Sequence, residues 1–127
     1  MSVMETTLVP KRKRAPGAPP VMSPARPSLD AERATRLATY AKALADPIRV
    51  QLVDVLAEHP GELCACELVG LFDVAQSTLS HHLKTLADAG ILESRRQGLF
   101  AYYIVHPQAL CDLADWLGHA ARAGIPS

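Results

Sequence analysis

Ala75-Gln76-Ser77-Thr78-Leu79-Ser80-His81-His82-Leu83-Lys84-Thr85-Leu86-Ala87-Asp88-Ala89 is the stretch that decides the fold. Leu79, Leu83 and Leu86 recur at i, i+4 and i+7. Ser77, Ser80, His81 and Lys84 recur at i, i+3, i+4 and i+7, so a helix over roughly Ala75 to Ala89 carries two separate stripes. Gly90 follows, where helices commonly close. The apolar stripe can be held by a domain while the other offers short polar side chains, which is what a helix needs to approach base edges in the major groove. On that geometry Gln76, Ser77, Ser80 and His81 reach bases or nearby phosphates, and Lys84 reaches the backbone. His82 flanks the packed stripe. The bland alternative is a surface helix with a solvated polar face, and the flanking segments weigh against it.

Downstream, Ile91 to Arg96 and Phe100 to Val105 are β-rich runs separated by Gln97-Gly98-Leu99, a hairpin with glycine at its turn. Arg95 and Arg96 on this hairpin add phosphate or minor-groove contacts. Upstream, a short helix from Glu62 or Leu63 to Leu71 turns through Phe72-Asp73-Val74 into the reading helix. Before it, Asp46-Pro47 opens a helix as cap and first-turn proline, with Ile48, Leu52, Val55 and Leu56 as its buried face, ending near His59-Pro60-Gly61. Ser28 or Asp30 caps a first helix with a small-residue stripe of Ala34, Leu37, Ala38, Ala41 and Leu44. A last helix after His106-Pro107 buries Leu110, Leu113 and Leu117 around Trp116. The expected fold is mainly α with a small β-hairpin: a winged helix-turn-helix of five helices and a two-stranded wing.

The chain has 127 residues, room for one domain of about 100 residues and no second core. Residues 1–29 are read as a disordered, basic, proline-rich arm, 30–123 as the DNA-binding and dimerisation domain, and 124–127 as a tail. Net charge is zero, yet five cations, including Lys11-Arg12-Lys13-Arg14, face one carboxylate before Asp30. The domain is correspondingly acidic, so DNA binding requires its few cations to be concentrated at the contact surface. The arm's basic run is a further phosphate contact, a nuclear-type address or a solubilising tail. The apolar runs are too short for a membrane span, and the expectation is a cytoplasmic protein without membrane partners. Three cysteines, two of them nearly adjacent, do not make a disulfide framework, and the thiols are expected to be reduced.

Three segments, Ala43-Leu44-Ala45-Asp46-Pro47-Ile48-Arg49, Glu62-Leu63-Cys64-Ala65-Cys66-Glu67-Leu68 and Gln76 to Lys84, resemble the ArsR/SmtB family of bacterial winged-helix repressors. The resemblance covers about Ala31 to Gly118. It implies a homodimer formed through the first and last helices, bound to a palindromic double-stranded operator and released when inducer binds. Cys64 and Cys66 match the thiols that the arsenite- and cadmium-responsive branches carry at the start of the third helix. Soft thiolates favour trivalent arsenic or antimony as inducer, with cadmium, lead or zinc as alternatives. Cadmium-type relatives add cysteines from the N-terminal arm, and this arm has none.

Residues i and i+2 of a helix lie about 200° apart, so both thiols can face one ion only if the first turn distorts. Such a distortion would displace the adjacent reading helix. In arsenite sensors with three thiols here, the third stands three residues after the second, and in this chain that position is Val69. Cys111 on the last helix is a candidate third sulfur, or else a small buried hydrophobe. His106, Asp112, Asp115 and His119 offer zinc-ligand types, at spacings that depart from the family's last-helix site. Incidental cysteines on a non-sensing DNA-binding protein, or an oxidisable pair, are the further alternatives. A thiol enzyme is disfavoured because neither an anion loop nor a Cys-x-x-Cys motif is present.

Overall fold

The computed structural model describes residues 28–126. They form helices α1 (Ala31–Ala43), α2 (Pro47–Glu58), α3 (Ala65–Leu71) and α4 (Gln76–Asp88), strands β1 (Leu92–Gln97) and β2 (Phe100–Val105), and helix α5 (Pro107–Ala123). This is the winged helix-turn-helix order, with α4 in the place of the expected reading helix and the β1–β2 hairpin as the wing. The arm with its Lys11–Arg14 run lies outside the described residues as far as position 27, as does Ser127.

Local chemistry sets the helix ends. The Asp30 carboxylate accepts the Arg33 N–H at 2.7 Å to start α1. Asp46 accepts from Ile48 N–H at 2.9 Å and Arg49 N–H at 3.2 Å, with Pro47 in the first turn of α2. Each such cap contributes about 1 kcal/mol. At the end of α4, Gly90 takes φ +88°, the Ile91 N–H returns to Leu86 C=O and the Gly90 N–H to Ala87 C=O, both at 3.0 Å. That is the double hydrogen bond of a Schellman ending, and it turns the chain directly into β1.

The core forms where the leucine stripes meet. Leu52 and Leu56 of α2, Leu68 of α3, Leu79, Leu83 and Leu86 of α4, and Ile91 are sealed from water. Each sealed leucine contributes about 1.5–3 kcal/mol of burial, so the back of the reading helix is firmly held. The wing pairs antiparallel from Leu92↔Val105 to Gln97↔Phe100, which leaves Gly98-Leu99 as a two-residue turn with Gly98 at φ +63°.

Two expectations need correction. The third helix begins at Ala65 rather than Glu62 or Leu63, because Cys64 is extended (φ −85°, ψ 164°) and bridges to Tyr102 of β2. The last helix does not bury its apolar face within the chain. Leu117 is 52% exposed and Leu113 and Trp116 are half-buried. Together with Leu29, Ala34, Leu37, Ala38 and Ala41 they line an apolar groove of about 360 Å³ between α1 and α5. The stripes are real, but a single copy of the fold leaves them uncovered.

Candidate thiol site and nucleic-acid interface

The polar stripe of α4 is exposed as its spacing requires. Gln76, Ser77, Ser80, His81 and Lys84 are all exposed along α4, opposite Leu79, Leu83 and Leu86. Lys84 is not a free cation: its Nζ lies 2.9 Å from Asp88 Oδ2, one turn on, and both side chains are in solvent. The hydrogen bond to Asp88, and then its charge, raise the lysine's pKa above the ordinary value, so the ammonium stays charged but shared.

The wing separates the two arginines. Neighbouring residues of a strand face opposite sides. Arg95 shares a side with Glu93, and its Nε lies 3.3 Å from Glu93 Oε2. Arg96, on the other side, lines a cavity against α4 and takes part in no ion pair among the described residues. Of the two, Arg96 is the cation turned toward the reading helix.

That cavity, about 280 Å³, also holds the thiols. Cys64 and Ala65 form one wall with Cys66 and Val69, α4 supplies Gln76, Leu79, Ser80 and Leu83, and the wing supplies Arg96, Leu99, Phe100 and Ala101. Cys64 is buried and Cys66 exposed, and their sulfurs are joined as a disulfide with the Cα atoms 5.4 Å apart. This differs from the two reduced thiols expected on a regular helix. The physical reason is the extended backbone of Cys64, which takes its side chain off the helical azimuth, so the sulfurs converge without unwinding α3. The Glu67 carboxylate fixes the turn by accepting the Cys64 N–H at 2.9 Å.

Within one chain, Cys111 is not brought to this place. It is exposed rather than buried, and it edges a separate apolar cavity of about 350 Å³ with Leu56, Pro60, Ile104 and Leu110. Among the described residues no group of three His, Cys, Asp or Glu side chains is arranged to hold a metal, which includes His106, Asp112, Asp115 and His119. Val69, at the position of a third thiol, does face the cavity, so that corner is apolar here. Sequence reasoning missed Tyr102, whose bridge ties the thiol segment to the wing, and the wing tip Leu99-Phe100, respectively 92% and 52% exposed at the cavity mouth. Two bulky apolar residues at a hairpin turn were the only available signal.

A family profile described as bacterial regulatory protein, arsR family, matches residues 46–94. The chain is 43% identical over 67 residues to the arsenic resistance transcriptional regulator ArsR1 of Pseudomonas putida, an alignment covering 53% of this chain and 52% of that protein. It is 39% identical over 77 residues to the arsenical resistance operon repressor of Staphylococcus aureus, covering 61% and 72%. It is 35% identical over 76 residues to the cadmium resistance transcriptional regulatory protein CadC of Listeria innocua, covering 60% and 63%. The chain thus spans about half the length of the first of these relatives. All three are named as transcriptional regulators or repressors, not enzymes. In fold it matches the solution structure of a homodimeric winged helix-turn-helix DNA-binding domain from Mycobacterium bovis, with TM-score 0.59 and 23% identity, covering 82% of this chain and 94% of that one.

Proposed function

The chain belongs to the arsR family of bacterial regulatory proteins, and on that premise we propose that it is a dimeric transcriptional repressor released from its operator when Cys64 and Cys66 bind a soft ion, trivalent arsenic or antimony foremost. The observation that carries this reading is the cavity the two sulfurs share with Gln76 and Ser80 of α4 and Arg96 of the wing. In it, α4 of each protomer enters a major groove, with Gln76, Ser77, Ser80 and His81 toward base edges and Lys84 toward phosphate, while Arg96, with Arg95 as the weaker contributor, holds the backbone. The apolar α1–α5 groove is the surface on which a second copy closes.

Reduced, the pair supplies two soft thiolates converging at one point, which suits thiophilic ions. Each sulfur releases its proton to water as it ligates, and no electron changes hands. Whatever Cys64 and Cys66 hold lies between the helix and the wing that DNA engages. Two consequences follow for the reader of DNA. Volume added there presses the Leu99-Phe100 tip away from α4, and any shift of Cys64 passes through its bridge to Tyr102 into β2. Release then comes from parting wing and helix, without the unwinding of a helical turn. The arsenical roles named for the P. putida and S. aureus relatives support arsenic. The cadmium role named for the L. innocua relative supports cadmium as a second reading.

Cys64→Ser and Cys66→Ser, assayed under reducing conditions on a duplex selected by the wild-type chain from a random pool, should bind that duplex as wild type does and resist release by arsenite. Release of either variant at wild-type arsenite concentrations overturns the assignment. Release of the wild type by cadmium and not arsenite, lost in the same variants, selects the second reading.

A further inference from the structure

Arg49 and His82 belong to neither the thiol cavity nor the reading face, yet they join three helices. The Asp46 carboxylate that caps α2 accepts the Arg49 N–H, and the Arg49 side chain then doubles back. Its Nε donates to the C=O of Ala43, the last residue of α1, at 2.5 Å, and its Nη1 lies 3.1 Å from Nδ1 of His82 on α4. The other ring nitrogen, His82 Nε2, stands 3.8 Å from Asp46 Oδ2, and the His82 side chain is only 12% exposed.

A guanidinium can only donate, so His82 Nδ1 must be the unprotonated acceptor and the ring proton must sit on Nε2, facing Asp46. One polar chain therefore runs from the end of α1 through the start of α2 to the back of α4. His81, the next residue along, is exposed on the reading face, with its ring centroid 6.2 Å from that of His82. The leucine stripe holds α4 firmly against the core, but that burial is non-directional, whereas a hydrogen bond prefers one geometry. The bond at His82 adds a directional restraint on the helix azimuth, and with it on the angle at which Ser77, Ser80 and His81 meet base edges.

We propose that Arg49 and His82 are positioning residues for sequence reading: the Arg49–His82 bond fixes the azimuth of α4 relative to α1. This rests on α4 reading DNA and on α1 lying at the dimer surface. If so, the link also relates each reading helix to the two-fold axis and thereby to half-site geometry. Phosphate contacts are unaffected by it, because none of the phosphate-facing cations takes part. The link should govern discrimination between sequences more than the salt-dependent affinity common to all of them.

The test uses the full chain, reduced, with the duplex selected from a random pool and a scrambled duplex of equal length. An asparagine amide oxygen falls near the place of Nδ1 and can accept from Arg49, whereas glutamine reaches toward the place of Nε2. Lysine at 49 cannot bridge Ala43 C=O and position 82 together. Expected is a loss of about tenfold in the selected-to-scrambled affinity ratio for His82→Gln and for Arg49→Lys, with the salt slope unchanged. His82→Asn should recover most of it, and the double variant His82→Gln/Arg49→Lys should be no worse than either single one. Each variant that binds should still respond to arsenite, which separates failure of this link from failure of the sensing assignment. A ratio unchanged in His82→Gln, equal losses in His82→Asn and His82→Gln, additive losses in the double variant, or losses that merely track melting temperature would each overturn the proposal.

Discussion

Removing the Arg96 side chain should weaken operator binding through electrostatics, by an amount the structure permits one to work out. Arg96 faces the cavity beside α4 and takes part in no ion pair among the described residues, whereas Arg95 on the opposite side is engaged by Glu93 at 3.3 Å. If Arg96 neutralises one phosphate per protomer, a dimer makes two such contacts. Each contributes about 0.9 to the slope of log affinity against log salt, so Arg96→Ala should flatten that slope by about 1.8. Arg95→Ala should flatten it by clearly less, since its charge is already partly compensated. The assay is a salt series of fluorescence anisotropy titrations on the selected duplex, run reduced and without inducer. Equal slopes for wild type and Arg96→Ala, or a larger change for Arg95→Ala, would refute the assignment of wing faces.

Asp88→Asn should tighten binding to any duplex by a few-fold and steepen the salt slope, because Lys84 is freed from its partner and a carboxylate is removed from the phosphate side. A salt series on the scrambled duplex checks this, and unchanged affinity would show that Lys84 makes no phosphate contact. Leu117→Glu places a charge on the half-exposed α1–α5 groove without touching the sealed core. It should dissociate the dimer at concentrations where wild type is dimeric, measured by sedimentation, while the far-ultraviolet spectrum remains that of a folded chain.

Much of the fold was legible because its determinants are local. The stripes of α4, the Asp46-Pro47 start of α2 and the Gly98 turn each declare themselves within a few residues, and all appear where spacing and turn chemistry put them. What was not legible depends on residues distant in the chain. Cys64 leaves the helix because Tyr102, thirty-eight positions later, bridges to it, and this replaced the expected helical unwinding with a pair of sulfurs that already meet. Leu117 reads as core from its period alone, since a stripe left uncovered in one copy of the chain has the same pattern as one that closes on its own chain. Arg95 and Arg96 read as equivalents until strand register assigned them opposite faces. The Arg49–His82 link had no local signal at all, because its ends stand thirty-three positions apart.

If Cys64 and Cys66 form the inducer site and filling it parts the wing from α4, arsenic ligation and DNA release must coincide. Arsenite titrated into the reduced full chain on its selected duplex, with thiolate-to-arsenic absorption and DNA release recorded in one cuvette, measures both. The two signals should saturate together at one arsenic per protomer, in wild type and in Cys111→Ser alike. Release that precedes the absorption change, or a Cys111→Ser variant that no longer releases DNA, would contradict it.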